Sequence, residues 1–270
     1  MSDPLLQIRD LHLALPDLNA KRLFGPAPRI EILRGLTFDI ARGATLGIVG
    51  ESGSGKSTLG RCLVRLLEPT GGTIWLNGDD ITHARPRDLA AHRRDLQMIF
   101  QDPMSSLNPR HSVLRLIADP MRLHGVEDAD AKARDMLDRV HLGRRFADRY
   151  PHQLSGGQRQ RVGIARAVGL SPRFILADEI VSGLDVSTQA QIIRLLEELV
   201  ADMDLTLAFI SHDLSVIRRL CRDVIVLRAG QIVEAGTTEA VFETPQHPYT
   251  AELKAAIPLP EPDDTWLRLG

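Results

Sequence analysis

The chain is expected to be an α/β protein: a mostly parallel sheet, an N-terminal antiparallel β subdomain and an inserted helical subdomain. Three observations predict this. Short apolar runs of buried-strand type alternate with helical patterns in the first hundred residues and again beyond about residue 173. Between about 102 and 163 the strand signals stop and helical patterns take over. One run, ATLGIVG, passes through a glycine-rich turn straight into the helical KSTLGRCLVRLL, a strand–loop–helix order that suits a parallel sheet.

Taken in order, residues 5–15 and 30–40 alternate apolar and polar, as in LQIRDLHLAL and IEILRGLTFDI, and read as strands. PDLNAKRLFGPAP between them reads as a loop. TIWLNG and LQMIFQD are further strands, with a helix around Pro86–Arg93. Helical patterns follow near 112–123, 128–141 and 157–170. RFILAD, TLAFIS and DVIVLRAG then return as buried strands. A helix from about Thr188 sets Ile192, Leu195, Leu196 and Leu199 on one core-facing stripe. The expected domains are a core of 1–101 and 164–235 that includes the antiparallel β subdomain, a helical subdomain of 102–163 and a C-terminal extension of 236–270.

Composition excludes several function classes. With 270 residues, a net charge of -2 and a pI near 6.5, the chain lacks the basic footprint of a nucleic-acid binder. Arg93-Arg94 and Arg144-Arg145 read as solvated faces. Its two cysteines, Cys62 and Cys221, each sit inside an apolar helical context without CxxC spacing, which leaves zinc, iron–sulfur and disulfide frameworks without ligands and suits a reducing cytosol. MSDPLLQIRD does not read as a signal peptide, and no apolar window approaches the length of a membrane span. Work at a membrane would need spans supplied by another subunit.

GESGSGKST, Gly50–Thr58, fits G-x-x-x-x-G-K-[ST] between a strand and a helix. Gly50, Gly53 and Gly55 allow a tight turn whose N–H groups, with those of Ser52, Ser54 and Thr58, point at phosphate oxygens. The opening helix adds its positive dipole end. Lys56 would reach the β- and γ-phosphates and the Ser57 hydroxyl would hold Mg²⁺, which makes the core a P-loop NTPase (RecA-like) fold. Asp178 and Glu179, adjacent acids at the end of RFILAD, are by themselves either a metal-and-base pair or a solvated turn. A phosphate loop gives them something to act on: Asp178 on Mg²⁺, Glu179 on the attacking water.

LSGGQRQR, Leu154–Arg161, narrows the class. A helix start preceded by Ser-Gly-Gly is a second anion site, and two such sites in one chain suggest head-to-tail closure of two chains. With this motif the chain resembles the ATP-binding cassette (ABC) ATPases. The resemblance implies that Ser155, Gly156, Gly157 and Gln158, with Asp185 of SGLD, act in trans on nucleotide held by the opposite subunit. It implies that Gln101 of MIFQDP touches Mg²⁺ and links to the helical insert, and that His212 of ISHDL contacts the γ-phosphate. SSLNPR, RYPHQLSGG, LDVSTQAQ and HPYTAELKAAIP are similar to the oligopeptide/dipeptide/nickel importer branch. Some members hold an iron–sulfur cluster on cysteines after the HPYT segment; none stands there in this chain, so no such cluster is expected.

Two departures stand out. The family usually has Pro after the catalytic Glu and Ala in the next loop, where this chain has Ile180 and Gly183. The adenine-stacking aromatic of the N-terminal strand is also missing; the aligned residue is Leu15, with Phe24 as the other candidate. The resemblance implies an ATPase subunit with ATP and Mg²⁺, powering an importer for peptides or a related small solute. Expected partners are a second ATPase subunit (identical or different), two transmembrane permease subunits and, indirectly, an external solute-binding protein, with no nucleic acid. The place of action would be peripheral, on the cytoplasmic face of the inner membrane. The alternative is a soluble ABC-type ATPase of a phosphonate-degrading or other non-transport complex.

Overall fold

Strands that are buried on both faces carry continuous apolar runs, and three short ones dominate the centre of this chain. The computed structural model describes residues 4–17 and 28–255. It opens with β1 (Pro4–Pro16) and β2 (Arg29–Ala41), paired antiparallel from Leu6↔Ile40 to Pro16↔Arg29 with several register shifts. β3 (Thr45–Val49) ends at the glycine-rich loop, and α1 (Lys56–Leu63) follows it. β4 (Gly71–Leu76) pairs with β1 and turns through Asn77-Gly78, both at positive φ, into the two-residue β5 (Asp79–Asp80). Then come α2 (Pro86–His92) and β6 (Leu96–Ile99).

The helical stretch comprises α3 (Pro103–Ser106), α4 (Val113–Leu123), α5 (Ala129–Arg139) and α6 (Gly156–Val168). It lies in sequence between β6 and β7 (Phe174–Asp178), which are direct parallel neighbours. After β7 the chain alternates α7 (Val186–Met203), β8 (Thr206–Ile210), α8 (Leu214–Leu220) and β9 (Asp223–Arg228). β10 (Gln231–Thr237), α9 (Thr238–Glu243) and α10 (Pro248–Ala255) complete the described residues.

Two sheets result. One is antiparallel, β2-β1-β4-β5. The other runs β10-β9-β3-β8-β7-β6 and is parallel except for the β9–β10 hairpin. The period of two along each parallel strand divides the interior. Phe174, Leu176, Ala208, Ile210, Leu46 and Ile48 face a core shared with the antiparallel sheet and α1. Ile175, Ala177, Leu207, Phe209 and Val49 face a second core shared with α4 to α8. Ile192, Leu195, Leu196 and Leu199 lie in that second core, as their spacing predicts.

In register, Ile48 lies beside Ile210, Ile210 beside Asp178, and Ala177 beside Ile99. The carboxyl ends of β3, β8, β7 and β6 therefore form one edge, the usual place for ligands in an open α/β sheet. LQMIFQD extends as a strand only to Ile99, so Phe100 and Gln101 leave the sheet at that edge. Arg144 is exposed but not merely solvated: it pairs with Asp135 and Asp138 at 2.7 and 2.8 Å. Cys221 closes α8 rather than lying within it, and both thiols are free and buried.

Candidate functional site

Residues from all four strand ends meet at that edge. Gly50 leaves β3 at φ +148°, and a Cβ there would stand 2.1 Å from the Leu227 carbonyl oxygen, so only glycine fits. Gly55 caps α1 at φ +104°. The loop is closed internally by the Ser54 N–H donating to the Glu51 carbonyl at 3.2 Å and externally by the Gly230 N–H donating to the Ser54 carbonyl at 3.0 Å. The Lys56 ammonium donates to the carbonyls of Gly50 and Glu51, both at 2.7 Å. Burial lowers the Lys56 pKa, and the carboxylates of Glu179, Asp178 and Glu51 pull it back up.

Ser57 donates its hydroxyl to Asp178 Oδ1 at 2.9 Å, joining the start of α1 to the end of β7. Burial pushes the Asp178 carboxyl above the usual carboxylate range; this bond, Arg61 and Lys56 oppose that push, and Glu179 adds to it. Gln101 donates through Nε2 to Glu179 Oε2 at 3.1 Å, and His212 Nδ1 stands 3.9 Å from the same oxygen. The structure thus brings Lys56, Ser57, Gln101, Asp178, Glu179 and His212 to one edge. Glu179 itself has φ +48°, unusual for a non-glycine residue.

The residues at this edge suit a nucleotide phosphate and its metal. The glycine cradle leaves room that a side chain would fill, and the buried Ser54 Oγ has no hydrogen-bond partner among the described residues. Among those residues no cluster of three or more His, Cys, Asp or Glu could cage a metal ion. One hydroxyl and one carboxylate at 2.9 Å are what Mg²⁺ requires, because it keeps waters and takes its other oxygens from phosphates. Both groups fit.

The remaining predicted residues lie apart from this cluster. Ser155 caps α6: its Oγ accepts the Gln158 N–H at 3.3 Å while the Gln158 side chain accepts the Ser155 N–H at 3.0 Å. Both side chains are engaged locally, which leaves the backbone of Gly156 and Gly157 as the presenting surface. Gly157 packs on α7, where a Cβ would stand 2.4 Å from Thr188 Cγ2. Asp185 caps α7, accepting from the Thr188 N–H at 2.9 Å and hydroxyl at 2.7 Å.

Ile180 is buried in the core, and Gly183 sits at φ +75° with open space around it. Leu15 is partly buried against the core beneath the antiparallel sheet; Phe24 falls outside the described residues. One residue was missed as functional. The Tyr249 hydroxyl accepts the Glu51 N–H at 2.8 Å, a contact across nearly 200 residues for which the HPYT motif gave a family likeness and no role.

A second feature flanks the site. A groove of ≈ 570 Å³ is lined by Leu66, Met98, Phe100, Pro120, His124 and Arg166 among others, with Phe100 and Leu66 exposed. No helix among the described residues is long and apolar enough to cross a membrane.

Comparison with known proteins gives the family. Residues 33–182 match the sequence profile described as ABC transporter, and residues 233–269 that of the oligopeptide/dipeptide transporter C-terminal region. The glutathione import ATP-binding protein GsiA of Escherichia coli K12 is 49% identical over 263 residues, covering 96% of this chain and 42% of that protein. GsiA of Shigella flexneri aligns with the same identity and coverage. The chain therefore spans about two fifths of the length of these curated relatives. Among solved structures, the dimeric ATP-binding cassette MJ0796 bound to ADP and Pi superposes with a TM-score of 0.76 at 28% identity, covering 86% of this chain and 98% of that one. CbiO1 of Clostridium perfringens, part of the ABC transporter complex cbiONQ, gives 0.75 at 25% identity, covering 90% and 92%. With more than half of its length inside the family profile, and with that family's fold, the chain belongs to the ABC transporter family.

Proposed function

We propose that this chain is an ATP-hydrolysing cassette that powers import of a peptide or a related small solute. The observation that carries the reading is the paired linkage Ser57–Asp178 and Gln101–Glu179 at the mouth of the glycine-rich loop. One pair holds a hydroxyl and a carboxylate where a Mg²⁺–nucleotide would need them; the other holds a second carboxylate ready for water.

The Gly50–Thr58 amides and the start of α1 would bind the phosphates. Lys56 would exchange its two carbonyl contacts for phosphate oxygens. Ser57, Asp178 and Gln101 would hold Mg²⁺, which supplies charge neutralisation at the β- and γ-phosphates. Glu179 would accept a hydrogen bond from the attacking water, oriented by Gln101, and His212 would donate to the γ-phosphate. Ser155, Gly156, Gly157 and Gln158 at the α6 start, with Asp185, would complete the site of a second cassette, identical or different. The proposed boundaries remain a nucleotide core of 1–101 and 164–235, a helical part of 102–163 and an extension of 236–270.

The ≈ 570 Å³ groove between the core and α4 is the proposed seat for a cytoplasmic helix of a membrane permease subunit. Two permease subunits and an external solute-binding protein would complete the importer, with this chain peripheral to the membrane on its cytoplasmic face. The name of the relatives, glutathione import, favours a small peptide as cargo.

The test is Glu179→Gln. It keeps size and hydrogen bonding but removes the charge that polarises water. ATP hydrolysis should fall by about 10²-fold or more, as for loss of a general base, while ATP binding is retained. Hydrolysis at the unmutated rate would refute the role given to Glu179.

A further inference from the structure

The C-terminal segment contributes to the nucleotide site through one hydroxyl. Tyr249 on α10 is 1% exposed, and its oxygen accepts the Glu51 N–H at 2.8 Å. Glu51 is the second residue of the glycine-rich loop, and its own carbonyl takes both the Lys56 ammonium and the Ser54 N–H. Lys56 thus holds the peptide groups on both sides of Glu51 by their carbonyls, and Tyr249 holds the first of them by its N–H.

The phenol is held in place with little freedom. Arg228, at the end of β9, lies 4.7 Å above the centre of its ring. On β10, Glu234 accepts the N–H groups of Gln246 and His247 at 2.8 and 3.1 Å, tying down the approach to α10. His247 Nδ1 accepts the Tyr249 N–H at 3.1 Å, so His, Pro and Tyr act as one turn that aims the ring at the loop. Burial raises the phenol pKa further above neutral.

We infer that Tyr249 is a positioning residue for the Gly50–Thr58 loop, so that the C-terminal segment sets how tightly the cassette holds nucleotide. The loop's amides bind phosphate only if its backbone is already arranged for it, and a hydrogen bond at Glu51 lowers the cost of ordering that backbone. The inference rests on the proposed nucleotide function.

The experiment uses the full chain and the fluorescent nucleotide mant-ATP with Mg²⁺. Tyr249→Phe keeps the ring, its burial and the Arg228 contact and removes only the hydroxyl. Its Kd for mant-ATP should rise about three- to tenfold, the range set by one lost hydrogen bond, while kcat at saturating ATP stays within about twofold. Val241→Ala, a buried change in α9 beside this segment, should lower Tm and leave Kd unchanged. A Tyr249→Phe Kd within twofold of the unmutated chain overturns the inference, as does an equal loss of affinity in Val241→Ala. If the unmutated chain binds no mant-ATP, the functional reading falls and takes this inference with it. If it binds and Tyr249→Phe binds equally well, only the inference falls.

Discussion

Gly157 offers a prediction whose magnitude can be worked from the packing. An alanine Cβ at this position would lie 2.4 Å from Thr188 Cγ2, more than an ångström inside normal carbon–carbon contact. Thr188 cannot swing aside freely, because its hydroxyl donates to Asp185 at 2.7 Å. Turning it away costs about 1 kcal/mol for that bond, and moving α6 or α7 instead costs about 1–3 kcal/mol. Alanine recovers at most about 1 kcal/mol of helix propensity. Because Gly157 is only the second residue of α6, where that gain is smaller than in a helix interior, Gly157→Ala should destabilise the chain by about 0.5–2 kcal/mol, read as a lower urea midpoint at unchanged slope. Thr188→Ser deletes the clashing methyl and keeps the hydroxyl on Asp185. In the double variant the stability should return to within about 0.5 kcal/mol of the unmutated chain. Its ATP hydrolysis should remain low, because the proposed approach of Gly157 to a partner's γ-phosphate is still crowded. A single variant as stable as the unmutated chain, or a double variant with no recovery, would refute the packing argument.

Gly183→Ala restores the residue usual in the family, yet φ +75° at this position should make it about 1 kcal/mol destabilising although nothing crowds the side chain; urea unfolding reads this directly. Glu234 gives a pH dependence. Burial works against its charge, but the hydrogen bonds from the Gln246 and His247 amides outweigh it and leave its pKa lowered. Stability from a lowered carboxylate is present above its unfolded value of about 4.3 and lost as pH falls through the folded one. Glu234→Gln should then be less stable than the unmutated chain at pH 7, with the gap closing below about pH 4; a gap independent of pH would contradict the assignment.

The sequence made the sheet legible because β3, β7 and β8 are short, apolar and bounded by turn residues, the pattern of strands buried on both faces. The residues of the candidate site were legible for a different reason: each stands at a strand or helix end where glycine, acid or hydroxyl chemistry is conspicuous. What could not be read was contact between distant segments. Nothing local to HPYT reveals that Tyr249 reaches Glu51, because a hydrogen bond across the fold leaves no periodicity. The same holds for Gly157, whose need for glycine comes from Thr188 on the next helix as well as from the signature itself. α9 and α10 were also missed as helices; α9 is six residues and α10 eight, too short for a clear apolar stripe.

Ile180 illustrates how the loop after the paired acids is held without the usual proline. Glu179 has φ +48°, a conformation that costs a non-glycine residue about 1–2 kcal/mol. Proline at 180 would bias residue 179 toward extended backbone, away from the conformation seen here. Isoleucine removes that bias, and its side chain is 1% exposed, with Val181 at 4% beside it. Burying two such side chains contributes about 1.5–3 kcal/mol each, enough to offset the strain at Glu179. The backbone completes the restraint: the Glu179 N–H donates to the Ile210 carbonyl at 3.0 Å, and its carbonyl accepts the Ser182 N–H at 3.1 Å. Gly183 then supplies the positive φ from which the chain enters the Asp185 cap. Ile180 and Gly183 thus act together: apolar burial anchors the loop where a ring would have, and glycine absorbs the turn that follows.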